Sequence, residues 1–114
     1  LRDIAHLSLI EYDESETNNY QYVVLDVGAG FPVTRDRLIE VLHAEGVLAR
    51  RYFWPGVHNM EPYRSHYPHA GLMLPHTHNV ARGVVVLPTG TMIEGGNIEA
   101  VCSIFRALAA AARP

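Results

Sequence analysis

Apolar and polar positions change their spacing several times along this chain, and each spacing predicts an element. Tyr20-Gln21-Tyr22-Val23-Val24-Leu25-Asp26-Val27 is β-branched and aromatic and is bounded by Asn19 and by Gly28-Ala29-Gly30, which predicts a strand. Its near-continuous apolar character predicts burial on much of both faces. Past Thr34, a good N-cap, Leu38, Val41, Leu42 and Glu45 recur at helical spacing up to Gly46, with Arg37, Glu40 and His43 facing outward. Val47 to Trp54 predicts a second strand, alternating in its second half. A strand, a helix and a strand in succession make a βαβ-like unit of an α/β or α+β domain.

Beyond that unit the pattern loosens and then returns. Pro62, Pro68 and Pro75 interrupt the stretch from Met60 to Pro75, leaving room for one helical turn around Glu61 to Ser65. Thr77 to Gly83 predicts a short helix with Val80 and Ala81 inward. Val84-Val85-Val86-Leu87 is wholly apolar, hence a central strand, and stops at Pro88-Thr89-Gly90. Asn97 is expected to cap a last helix whose Ile98, Val101, Cys102, Phe105, Leu108, Ala109 and Ala112 keep one face apolar. At the other end, Leu1 to Ile10 is expected to be a loose lead-in and Glu11 to Asn19 an acidic loop.

Composition narrows the classes. A chain of 114 residues fits one domain with a modest core. A net charge of −3 argues against nucleic acid or an anionic membrane as the main partner. No apolar run is long enough to cross a bilayer, and no basic segment precedes an apolar one at the N-terminus, so a cytoplasmic location is expected. The single cysteine, Cys102, excludes an internal disulfide and is expected to be a core thiol. The chain has no lysine, so it cannot form a Schiff base by itself. It starts at Leu1, which is expected of an excised piece of something longer. Such a piece would expose apolar surface, with Leu1, Ile4, Leu7, Leu9 and Ile10 as the candidates.

The candidate chemistry concentrates between Arg50 and Tyr67, where the only Trp, an Arg pair, Tyr and His residues surround two prolines. Guanidinium groups beside aromatic rings in a rigid loop suit an anionic or ring-shaped ligand. His58 and Tyr63 stand out, because Pro55 and Pro62 bracket them and lower the entropy of holding both side chains in place. Five of the seven histidines lie between His58 and His78. Spacings such as His66-x-x-His69 and His76-x-His78 can chelate, but structural zinc usually recruits cysteines, and Glu61 is the one carboxylate nearby, so exposed loop histidines are the simpler reading. Asp26, inside an apolar strand, is expected to be buried and paired with an Arg. Gly28-Ala29-Gly30 follows a strand as a phosphate loop would, but Phe31-Pro32 comes next, which reads as a turn.

Asn19-Tyr20-Gln21-Tyr22-Val23-Val24, then Arg51-Tyr52-Phe53-Trp54-Pro55-Gly56-Val57-His58-Asn59-Met60-Glu61-Pro62-Tyr63-Arg64, then Leu87-Pro88-Thr89-Gly90 and the final helix resemble the C-terminal small domain of the DegT/DnrJ/EryC1/StrS family. These are pyridoxal-phosphate-dependent aminotransferases of nucleotide-linked keto sugars. The resemblance covers nearly all of the chain from Asn19 on. It implies an α/β (α+β) fold: a mostly antiparallel three- to four-stranded sheet with packed helices, the C-terminal domain of a fold-type I aminotransferase. Residues 1–19 would lead in from a large domain and 20–114 form the small domain. The resemblance further implies that His58 and Tyr63 bind the sugar nucleotide near a subunit interface and that Arg51 supplies positive charge near its phosphates. The Arg50-to-Gly56 form resembles a subset acting on dTDP-linked hexoses in antibiotic or surface-sugar pathways.

In that family the cofactor is held by a lysine and an acidic partner of the large domain. The parent enzyme would therefore carry pyridoxal phosphate, use glutamate as amino donor and form a homodimer. This chain alone would hold no cofactor or catalytic residue and would supply substrate-facing residues. Two other readings stay open from the residues themselves: a stand-alone, non-catalytic binding module for a phosphorylated small molecule or a protein partner, and a structural interaction domain.

Overall fold

A computed structural model of the chain describes residues 1–111. Four strands form one sheet in the order β1-β2-β4-β3, with β1 at Leu7–Leu9, β2 at Val23–Val27, β3 at Arg50–Arg51 and β4 at Val84–Leu87. Every neighbouring pair is antiparallel, with Leu7 opposite Val27, Leu25 opposite Val85, and Arg50 opposite Val86. Because β2 and β3 both run against β4, they are parallel to each other. The β2-helix-β3 unit is thus a βαβ crossover with β4 inserted between its strands. The mixed α/β class with a mostly antiparallel sheet is as expected, and the wholly apolar β4 is central.

Helix α1, Arg35–Ala44, begins as its sequence dictates. The Thr34 hydroxyl accepts a hydrogen bond from the Arg37 N–H, and Gly46 takes the left-handed conformation (φ 77°) that ends the helix. Leu38, Ile39 and Leu42 are buried, whereas Glu45 caps the C-terminus in solvent. The long helix α5, Gly95–Ala111, drives Phe105 into the core and lays Val101, Ile104, Leu108 and Ala109 against it. Ile98 was expected on this stripe but is exposed, since it lies on the first turn, ahead of the stretch that meets the core. Asn97 is not the residue before the helix. It sits in the first turn, where its side-chain oxygen accepts from the Glu94 N–H. Cys102 is half-buried, and Ala112 lies outside the described residues.

The N-terminal segment differs most from expectation. It is not a loose lead-in: β1 completes the sheet, and Ile4 and Leu7 join the core with Leu25, Val27, Phe31 and Val85. Leu1 is packed against that core, so of the residues expected to be exposed only Leu9 and Ile10 are. The acidic loop folds back through Tyr12, whose hydroxyl donates to the Tyr22 carbonyl and accepts from the Tyr22 N–H, so β2 starts at Val23 rather than Tyr20.

Strand alternation gives the sheet two unequal faces. Leu25, Val27 and Val85 point to the main core, while Asp26, Val84 and Val86 point the other way. That second face is only partly covered, by helix α4 at Pro75–Gly83. Asp26 is therefore exposed instead of buried against an Arg. Its carboxylate lies against Gly83, where a Cβ would come within 2.5 Å of Oδ1. No helix among the described residues is long and apolar enough to cross a membrane.

Candidate functional site

The second face of the sheet leads to the loop after β3. Strand β3 is only two residues long because Phe53 turns to φ 44°, which removes Tyr52 to Trp54 from the ladder. The Gly56 N–H returns to the Phe53 carbonyl, and a single 3-10 turn follows at Val57–Asn59. The peptide bonds before Pro55 and Pro62 are cis. Helix α2, Tyr63–His66, is the single turn expected, held from below by Glu61, which accepts hydrogen bonds from Ser65 Oγ (2.6 Å) and Arg64 Nε (2.9 Å). These bonds, the serine's first, hold the Glu61 carboxyl below its ordinary range. A further four-residue turn, α3 at Ala70–Met73, was not expected. Its capping pattern is made by backbone alone, so no side chain announces it.

These pieces and α4 enclose a cleft of about 750 Å³. Tyr52, Phe53, Gly56, Val57 and His58 line it from the loop, Tyr63, Tyr67 and Ala70 from α2 and α3, and Leu74, His76, Thr77, Val80, Ala81 and Val84 from α4 and the start of β4. Val80 was expected inward. It faces the cleft and is exposed, because the smaller Ala81 takes the place against the sheet. The walls are mostly apolar, and imidazole, phenol and threonine groups supply the polar contacts, the usual make-up of a small-molecule site. No carboxylate, lysine or arginine is among the lining residues.

His58 is buried, and its ring lies beside two glycines. A Cβ on Gly56 would fall 2.7 Å from its Cε1, and one on Gly71 would touch its other edge at 3.7 Å. Gly56 also needs φ 96°, so this position favours glycine twice over. The His58 Nε2 lies 2.9 Å from the Asn59 side-chain nitrogen, which also donates to the Pro55 carbonyl at 3.0 Å. Tyr63 is half exposed in the same cleft.

Arg51 is not in the cleft. It lines a smaller adjoining depression of about 150 Å³ with Tyr22, Arg50, Tyr52, Phe53 and Val86, and its Nε donates to Asp36 Oδ1 at 2.8 Å. Asp36 also accepts from Arg35 Nε at 2.7 Å. The hydrogen bond from Arg51 holds the Asp36 carboxyl below the usual range; burial opposes it, and the hydrogen bond from Arg35 adds to the lowering. Arg35 itself is buried, donates to the carbonyls of Ala81 and Val84 at 2.8 and 2.9 Å, and stacks 4.7 Å above the Trp54 ring. The sequence reading missed it, because an Arg in the first turn of a helix reads as a solvated charge. The sequence reading weighs His76 only with His78 as a chelating spacing, not as a cleft residue, and does not single out the Asn59 amide. Asn59 had a signal, standing beside the singled-out histidine between two prolines. Among the described residues no three His, Cys, Asp or Glu side chains gather around a possible metal ion.

Comparison with known proteins bears directly on this geometry. The DesI structure determined in the presence of its TDP-sugar product matches with a TM-score of 0.84 and 42% identity, over 96% of this chain and 27% of that one. The dTDP-4-amino-4,6-dideoxy-D-glucose transaminase of Escherichia coli is 34% identical over 108 residues, and that of Shigella dysenteriae 26% over 108. The chain spans 28% of the length of each of these two transaminases. The DegT/DnrJ/EryC1/StrS aminotransferase family profile matches residues 1–106. The chain belongs to the DegT/DnrJ/EryC1/StrS aminotransferase family.

Proposed function

We propose that this chain is the substrate-side part of a pyridoxal-phosphate-dependent aminotransferase that converts a keto group of a dTDP-linked deoxyhexose to an amino group. The observation that carries the reading is the likeness to DesI along 96% of the chain at 42% identity. Glutamate is the proposed amino donor, and a homodimer the proposed assembly. His58 and Tyr63 share one cleft, a suitable place for the sugar. Tyr52 and Phe53 line both this cleft and the depression that holds Arg50 and Arg51. A ligand lying across these two rings would have its sugar beside His58 and its phosphates near the arginines, whose remaining N–H groups suit phosphoryl oxygens.

The chain's own residues do not fit the cofactor. There is no lysine to bind its aldehyde, and no carboxylate in the cleft to meet a pyridine nitrogen. When bound in the parent enzyme, pyridoxal phosphate supplies the electron sink for amino transfer. This chain's residues bind and orient the sugar and keep water away from it.

The test begins with the intact mass, N-terminal sequence and visible absorption of the native product. A longer, lysine-containing, coloured protein is expected, and a colourless product beginning near Leu1 would overturn the reading. In that full-length enzyme, His58→Ala should raise KM for the nucleotide sugar about threefold to tenfold, the worth of one hydrogen bond. An unchanged KM would remove His58 from the site.

A further inference from the structure

The Asn59 amide determines which edge of His58 can serve a ligand. Its side-chain nitrogen faces two atoms at once, the Pro55 carbonyl oxygen at 3.0 Å and His58 Nε2 at 2.9 Å. A carbonyl oxygen only accepts, so the end of the amide directed at it must be the NH2 group. The second N–H of that same NH2 group then points at Nε2, which must offer its lone pair. In the neutral ring the proton therefore sits on Nδ1.

Nδ1 has no hydrogen-bond partner among the described residues, and no buried side-chain nitrogen or oxygen among them lacks one. Nδ1 is therefore open to solvent, and the solvent-filled space that His58 lines is the cleft. The space beside the ring at Gly56 is open only because that residue has no Cβ, which would fall 2.7 Å from Cε1 and 3.1 Å from Nδ1.

We propose that Asn59 is a positioning residue that locks His58 in its Nδ1–H tautomer, so that His58 acts in the cleft as a hydrogen-bond donor to a ligand oxygen. The partner it selects is a lone-pair oxygen, whether phosphoryl, carbonyl or ring hydroxyl. It disfavours a group that can only donate, such as an ammonium. Asn59 touches no ligand itself and works through His58. The ligand half of this proposal rests on the nucleotide-sugar reading above, but the tautomer half does not.

The decisive measurement is a long-range 1H–15N correlation spectrum of the native product labelled with 15N-histidine, in mildly alkaline buffer, with His58 identified by its disappearance in His58→Gln. The expected result is a protonated-type shift at Nδ1 and an unprotonated-type shift at Nε2. A ring with the proton on Nε2, or an even mixture, would overturn the proposal without any folding question. In Asn59→Asp a carboxylate replaces the amide and can only accept, so the proton should move to Nε2. In the full-length enzyme that variant should raise KM for a dTDP-linked keto sugar about threefold to tenfold while kcat stays within about twofold, the pattern of a lost binding contact. A reversed tautomer with unchanged KM would remove the donor role. A native enzyme that turns over no nucleotide-linked keto sugar would instead defeat the functional reading, and the wild-type spectrum would still decide the tautomer.

Discussion

Arg35 and Asp36 are neighbours in sequence with opposite surroundings, and together they tie the cleft's two sides to helix α1. Arg35 enters the interior and satisfies its charge with two carbonyls at the α4-β4 junction, a carboxylate and an aromatic face. Such a buried cation is tolerated only when it is paired and hydrogen-bonded. Asp36 stays half exposed and links Arg35 to Arg51. Its carboxyl titrates below the unfolded value of 3.8, so the network's contribution is present above about pH 4 and is lost as pH falls through the folded value. Solvent screening limits the exposed Arg51 pair to at most about 1 kcal/mol. Asp36→Asn should therefore be less stable than wild type at neutral pH, and the two should converge in acid. Urea unfolding across that range checks it, and a gap that persists at the lowest pH would place the contribution elsewhere. None of this was legible beforehand, because a charged residue shows its partners only after the chain has folded.

At the scale of elements, what could be read was what is local. Helices α1 and α5 repeat their apolar positions over several turns, and β4 carries four consecutive apolar residues, so each is specified by its own stretch. Strand β1 has three residues, too few for a period, and becomes a strand only because β2 offers it an edge. Likewise β3 was expected to run to Trp54, but its length is limited by the backbone reversal at Phe53. The weight of β1 is testable. Leu7 is 7% exposed and sits opposite Val27, so Leu7→Ala should cost about 2–5 kcal/mol in urea unfolding. A loss below about 0.5 kcal/mol, typical of surface positions, would mean that the N-terminal segment is dispensable to the core.

As a whole the molecule is less compact than its length suggests. Its radius of gyration is 15.8 Å, against roughly 13 Å for a compact domain of this size. The cleft-forming turns contribute to this, since Phe53, Val57, Tyr63, Tyr67, Leu72 and Met73 all expose apolar surface. Exposed apolar surface of that kind promotes association. The 114-residue chain by itself should therefore self-associate as its concentration rises, by way of these residues rather than the N-terminal Leu1, Ile4 and Leu7, which are packed in or against the core. Sedimentation velocity over a concentration series checks this, and a monomer at high concentration would count against it.

The division between what the linear order of residues dictates and what folding adds follows from the range of the forces involved. Helix caps, apolar periods and the motif around His58 and Tyr63 act within a few positions. They were enough for the mixed α/β class, the central β4 and the family membership. The exposure of Asp26, the burial of Arg35, the separation of Arg51 from the cleft and the amide that orients His58 depend on which face of the sheet is covered and on which carbonyls lie within reach. Alternation along β2 assigns Asp26 to one face, but only the placement of α4 decides whether that face is wet. The proline-rich turns bring one ring nitrogen against an amide and leave the other open, and that difference exists only in the folded chain.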